Sequence, residues 1–301
     1  MKTIILTGCA LIAFAANSVL CRLALGEHLI DASGFTIIRL LSGATVLFLI
    51  IKVSNKQTTT TVKGSWSGTL MLFTYATAFS FAYITLDTAT GALILFGAVQ
   101  ITMILSSLFS GTRLHISEWG GISLAFIGFS YLVLPNVTTP SITGFLLMIA
   151  AGIAWGIYTL QGRTSEKSLM STASNFYRCT PLLLVLFLAT IQDIHLSTAG
   201  ILLAVVSGGI ASGIGYTIWY MALGGLSATQ AAVVQLLVPV IAATGGVIFV
   251  SEPITIRLTL SGTMILGGIL MVVLGRYYFV QLKEIAKRDQ ATSVHVSTTE
   301  K

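Results

Sequence analysis

Three side chains stand out because they are polar amides set inside long apolar stretches: Asn17, Gln100 and Gln235. A polar group at membrane depth is costly unless it faces protein or water. Each amide both donates and accepts hydrogen bonds. Their chemistry is therefore recognition of a polar solute or bonding between helices, and neither role involves bond breaking. A group of aromatics shares the same stretches: Tyr75, Phe79, Trp155, Tyr158, Tyr216, Trp219 and Tyr220. Trp155 and Tyr158 are three apart, and Tyr216, Trp219 and Tyr220 are spaced i, i+3, i+4, so each set shares one helix face. Tyr75, Trp155, Tyr158 and Tyr216 are read as walls of a mostly apolar cavity. Trp219 and Tyr220, nearer a segment end, fit an interfacial belt equally well.

Arg39 and Arg178 each lie some residues inside an apolar run and are read as structural or gating charges. A buried arginine needs a carboxylate or carbonyl partner. Arg22 and Arg163 lie nearer run ends, where snorkelling to the headgroups suffices. The acids Glu27, Asp31, Asp87, Glu118, Glu166, Asp193 and Glu252 fall at or near segment ends, and Glu284, Asp289 and Glu300 follow the last segment. No carboxylate sits mid-segment, so proton coupling has no obvious residue, Asp87 and Glu252 being the nearest candidates. The histidines lie in loops or the tail. Cys9, Cys21 and Cys179 are scattered in apolar context and give neither a metal motif nor a disulfide framework. No catalytic cluster, metal or cofactor follows from these residues. The Gly-X-Gly pairs follow no strand, which removes a nucleotide fingerprint.

The elements that carry these side chains are apolar helices. Of the 301 residues 55% are hydrophobic and 9% charged, against roughly a quarter charged in a soluble domain. From Ile194 to Ser251 there is no Asp, Glu, Lys or Arg. A membrane span needs about 20 apolar residues, and backbone groups in lipid must be satisfied within helices or a closed barrel. The runs do not alternate apolar with polar residues, so they are helices. Ten segments are predicted, at about 3–25, 32–51, 65–86, 88–112, 117–135, 141–162, 171–191, 197–222, 226–250 and 257–280. The first resembles a signal peptide around Ala13-Phe14-Ala15, but its apolar run continues to Leu25 and is read as a retained helix. A polar loop spans Lys52 to Gly64, and a polar, disordered tail follows Lys283. The net charge of +6 comes from basic residues at segment ends. These act as orientation signals and not as a nucleic-acid surface, and they place both termini in the cytoplasm.

The chain repeats itself at an offset of about 140. Phe14 to Arg22 has the spacing of Trp155 to Arg163, Arg39 meets Arg178, Phe79 meets Trp219, and Gly128 meets Gly268. Five spans per half make the second repeat enter the membrane from the opposite side, an inverted-topology repeat. Repeats of this kind place a substrate site between the halves near the midplane. The domains expected are 1–137 and 138–282, each a five-helix repeat, with 283–301 as the tail.

Ala222-Leu223, Ser227-Ala228, the mid-helix Pro239, Glu252-Pro253, Gly262 and Gly267-Gly268, set in ten spans and two repeats, resemble the drug/metabolite transporter superfamily, EamA family. The first half departs from that pattern, with Val99 in place of Pro239 and Thr112-Arg113 in place of Glu252-Pro253. The resemblance implies an inner-membrane carrier of metabolites, often amino acids or related compounds, often outward. A cavity of Asn, Gln, Tyr and Trp without a central ion pair suits a neutral or zwitterionic solute. One copy encloses a pathway, with a dimer possible. A receptor or assembly protein without transport, and a membrane-embedded enzyme, are the competing readings. The first gains nothing from pseudo-symmetry, and the second lacks a cluster of reactive groups.

Overall fold

The computed structural model describes residues 2–53, 64–109, 116–133, 140–163, 168–226, 231 and 234–275. The chain is all-helical, and no strand occurs among the described residues. One isolated backbone bridge joins Ile30 to Leu196. In chain order the helices are α1 (Lys2–Gly26), α2 (Ala32–Val53), α3 (Trp66–Ala82), α4 (Thr88–Phe109), α5 (Ile116–Val133), α6 (Ile142–Arg163), α7 (Leu169–Thr190), α8 (Thr198–Leu223), α9 (Val238–Val250) and α10 (Ile256–Gly275). Seven of them, all but α3, α5 and α9, contain stretches long and apolar enough to cross a membrane. Most of the Lys52–Gly64 loop and the whole tail after Lys283 lie outside the described residues.

Local chemistry sets where these helices start and stop. Ser65 caps α3, its hydroxyl accepting from the Gly68 N–H, and Ser197 caps α8 through the Gly200 N–H. Such caps satisfy amide donors that a helix leaves unpaired. The segment predicted at 65–86 ends earlier as a helix, at Ala82, because Tyr83 to Leu86 turn toward α4. Pro181 breaks α7 at Cys179, and Pro239 follows the turn at Leu236 and Leu237 that opens α9. Proline lacks the N–H that would continue the preceding turn.

Two stretches are π-helical, Ser207–Ile214 within α8 and Gly246–Val250 at the end of α9. The first has a consequence for the site. In an α-helix, residues five apart point well away from each other, at about 100° per residue. The i→i+5 bonding of a π-helix brings them onto one face. Ser207 and Ser212 are five apart, and both turn toward the first half of the chain.

The halves interlock. α6 packs on α3 and α4, while α1 packs on α8 and α9; α2 lies against α8 and α7. Small residues permit these approaches. A Cβ on Gly208 would collide with the Arg39 carbonyl oxygen of α2, and one on Gly152 would stand 2.7 Å from the Leu95 carbonyl oxygen of α4. The loops fall at two ends. One, the acidic end, carries Glu27, Asp31, Asp87, Asp193 and Glu252; the other, the basic end, carries Lys52 and Arg178.

Candidate functional site

Where the two halves meet, six of the residues singled out from sequence come together: Asn17 from α1, Arg39 from α2, Tyr75 from α3, Trp155 and Tyr158 from α6, and Tyr216 from α8. Their exposure runs from 1% for Arg39 to 7% for Trp155. The aromatic rings form a continuous wall. Tyr75 lies 4.8 Å from Trp155 between centroids, and Trp155 lies 5.6 Å from Tyr158 and 5.0 Å from Tyr216. Phe14 closes the ring from α1, edge-on to Trp155 at 6.4 Å, Tyr216 at 6.0 Å and Trp219 at 5.6 Å. Such offset and edge-to-face pairs are favoured by the ring quadrupoles.

A polar seam crosses this wall. The Ser207 hydroxyl donates to Asn17 Oδ1, and Asn17 Nδ2 donates to the Tyr75 hydroxyl at 3.5 Å. Arg39 Nη2 donates to the same hydroxyl at 3.0 Å, and its Nε donates to Ser212 Oγ at 3.5 Å. The guanidinium also lies 5.2 Å from the Tyr75 ring and 4.8 Å from the Phe79 ring, a cation–π arrangement that a buried arginine favours. Arg39 is seven residues inside α2, about 10 Å from its first residue at 1.5 Å per residue. Gln100 and Gln235 are buried too, in α4 and at the turn before α9. The hydrogen bonds and ring contacts just described run through the other residues.

Arg178 is placed differently. It is half-buried at the basic end, its Nη1 donating to the Gly64 carbonyl and its guanidinium 5.7 Å from the Trp66 ring. Its helix stops at Cys179, and the stretch before it is rich in Ser, Thr and Asn. Arg178 therefore sits beside the start of α3 at this end and takes no part in the central cluster.

Sequence reasoning missed the cluster at the acidic end. Arg22, expected only to reach the headgroups, bonds Glu252 Oε1 through Nε at 2.9 Å and Asp87 at 3.5 Å. Glu252 Oε2 also accepts from the Thr88 backbone N–H at 2.8 Å. Ser251, in the left-handed region at φ 58°, turns the chain so that Glu252 points back at α1. The repeat paired Arg22 with Arg163 and so hid a partner that comes from α9. The same end is tied by Asp31 N–H to His195 O and Ser197 N–H to Leu29 O, both 3.0 Å.

Cavities flank the centre. One of about 740 Å³ lies between α4, α5 and α6, walled by Ile101, Phe126, Phe129, Phe145 and Ile153. Another, of about 280 Å³, is polar and sits at the acidic end among Asp87, Thr90, Ser141, Glu252, Thr255 and Arg257, and an apolar one of about 250 Å³ lies between α4, α9 and α10. The centre is thus a buried wall of rings crossed by a polar seam, built from residues of both the first and the second half of the chain.

A family model for EamA-like transporters matches residues 142–274. A Pseudomonas aeruginosa protein of uncharacterised function is 45% identical over 91% of this chain and 96% of its own length. The chain belongs to the EamA-like transporter family. This EamA protein is also similar, at 26% identity over 66% of its length and 72% of the relative's, to a probable amino-acid metabolite efflux pump of Escherichia coli. An uncharacterised transporter of Bacillus subtilis is 20% identical over 82% of the chain and 88% of its own length. One solved crystal structure covers 89% of the EamA chain and 96% of its own at a TM-score of 0.59, with 16% identity, a likeness of fold. The central cluster is thus a feature of an integral membrane transporter.

Proposed function

We propose that this transporter exports a small metabolite, an amino acid or a related solute, by alternating access around the central cluster. The observation that carries the reading is that the cluster draws on both halves and that the helix packing has the exchange pattern of an inverted repeat. α6 packs on α3 and α4, and its counterpart α1 packs on α8 and α9, the counterparts of α3 and α4. Ten spans in two repeats, 1–137 and 138–282, account for this pattern. Rocking of one repeat against the other would open each end in turn.

Arg22–Glu252 joins α1 of the first repeat to α9 of the second, so its separation would open the acidic end. Arg178 to Gly64 joins α7 to the approach to α3, so its release would open the basic end. The excess of Lys and Arg supports a bacterial-type inner membrane location with the basic end and both termini cytoplasmic. One copy encloses the pathway. The outward direction is supported by the likeness to a probable efflux pump.

The test is flux of labelled amino acids, nucleosides, sugars and cationic drugs in proteoliposomes, with Trp155→Ala and Gln235→Ala alongside. One class should move, and well-folded Trp155→Ala should not move it. Flux of no class, with or without a pH gradient, would defeat the carrier reading.

A further inference from the structure

Arg39 has more donors than the chain gives it acceptors. A guanidinium presents five N–H groups. Nη2 meets the Tyr75 hydroxyl and Nε meets Ser212, while Nη1 is buried with no hydrogen-bond partner among the described residues. The titratable groups facing it are Tyr75, Tyr216 and Cys21, and none is a carboxylate. The ion pairs among the described residues both belong to Arg22. A charge at this depth without a counter-ion is expensive, and neutral hydroxyls with two ring faces offset only part of that cost. The unspent N–H groups of Nη1, beside the second N–H of Nη2, can give a carboxylate two hydrogen bonds. Phe79 and Tyr75 lie against the guanidinium, and Trp155, Tyr216 and Phe14 continue the same ring cluster beyond Tyr75, an apolar lining for the body of such a ligand.

We infer that Arg39 is the recognition residue for a substrate carboxylate, and that the favoured substrate is an organic monocarboxylate with an apolar body and no free ammonium group. The inference rests on the carrier reading above. Charge balance separates it from the neutral or zwitterionic solute expected from composition. A monoanion brings the site to neutrality, whereas a zwitterion brings an ammonium group that meets no carboxylate among the described groups facing Arg39. Electrically, each turnover moves one negative charge.

Three probes of similar shape and different charge test this: phenylacetate, its neutral amide phenylacetamide, and the zwitterion phenylalanine. Binding to the purified protein is followed by intrinsic tryptophan fluorescence, since Trp155 lies against Tyr75. Phenylacetate should bind most tightly. Arg39→Gln should weaken it about 10- to 100-fold, as expected for loss of charged hydrogen bonds, and leave phenylacetamide within about twofold. Arg39→Lys, which keeps the charge and loses the fork, should fall between. In proteoliposomes of the unmodified protein, radiolabelled phenylacetate flux should speed up when an imposed potassium potential makes the receiving side positive. That measurement needs no variant and stands even where Arg39→Gln does not fold. Phenylacetate binding no tighter than the amide or the zwitterion, or potential-independent flux, overturns the proposal. Zwitterion flux that ignores the potential and survives Arg39→Gln overturns it while leaving the carrier intact. No binding and no flux for any compound overturns both.

Discussion

Two arginines, Arg22 and Arg39, lie in opposite electrostatic settings. Arg22 at the acidic end is 19% exposed in its side chain and meets two carboxylates and two backbone carbonyls. Arg39 at the centre is 1% exposed and meets hydroxyls and ring faces. The charge that water could partly stabilise has counter-ions, and the charge that water cannot reach has none among the groups described. This inversion assigns the work. Arg22 is satisfied by the chain and holds two helices together. Arg39 is held in readiness for something that is not part of the chain.

The centre should be the more fragile of the two regions. Trp155→Ala removes the ring that touches Tyr75, Tyr158, Tyr216 and Phe14 together. It should cost about 3–5 kcal/mol of stability and abolish flux, as read by thermal unfolding in detergent and by proteoliposome assay. A drop under ~1 kcal/mol would mean that the rings do not bear on one another. Next in size is Gly208→Ala. Its new methyl group lands on the Arg39 carbonyl, so α2 and α8 must part, at about 1–3 kcal/mol. An unchanged melting temperature would contradict the close crossing that aims Ser207 and Ser212 at Asn17 and Arg39.

Why the centre was easier to foresee than the end follows from the kinds of signal involved. Asn17, Tyr75, Trp155 and Tyr216 announce themselves as polar or aromatic side chains deep in apolar runs, and period alone puts Trp155 and Tyr158 on one face. Their meeting follows from packing: α6 lies on α3, which brings Trp155 to Tyr75, and α1 lies on α8, which brings Phe14 to Tyr216. Arg39 and Arg178 looked equivalent by the same repeat and are not, because Pro181 interrupts α7 where α2 runs on unbroken. The Arg22–Glu252 pair was invisible for another reason. Its partners are 230 residues apart and their meeting depends on the left-handed turn at Ser251, which no periodicity encodes. The π-helical stretch was equally hidden, since hydropathy cannot separate i→i+4 from i→i+5 bonding, yet it directs Ser207 and Ser212.

At the acidic end, Glu252→Gln keeps the shape and removes the charge. Arg22 retains Asp87, which is 59% exposed, so the loss should be modest, about 1–2 kcal/mol. The sharper readout is access. A cysteine placed at Thr88, whose N–H the same carboxylate accepts, should react with a membrane-impermeant thiol reagent several-fold faster in the Glu252→Gln background. Equal labelling rates would mean that the pair does not close this end.

The smallest effect is expected at Arg178, and its size sharpens the contrast with Arg39. Arg178 gives one hydrogen bond to the Gly64 carbonyl and lies over the Trp66 ring, which is itself 57% exposed. A half-buried charge keeps part of its hydration, so Arg178→Gln should cost only about 0.5–1.5 kcal/mol, the range of a single net hydrogen bond. Arg178→Lys should recover most of that, since an ammonium can also reach a carbonyl oxygen, whereas Arg39→Lys should recover little because one ammonium cannot reach Tyr75 and Ser212 as Nη2 and Nε do. Thermal unfolding of the four variants side by side gives the comparison. A recovery at position 39 as complete as at position 178 would show that the centre requires only a positive charge. The distinction between a charge that ties the protein together and one that awaits a carboxylate would then fail.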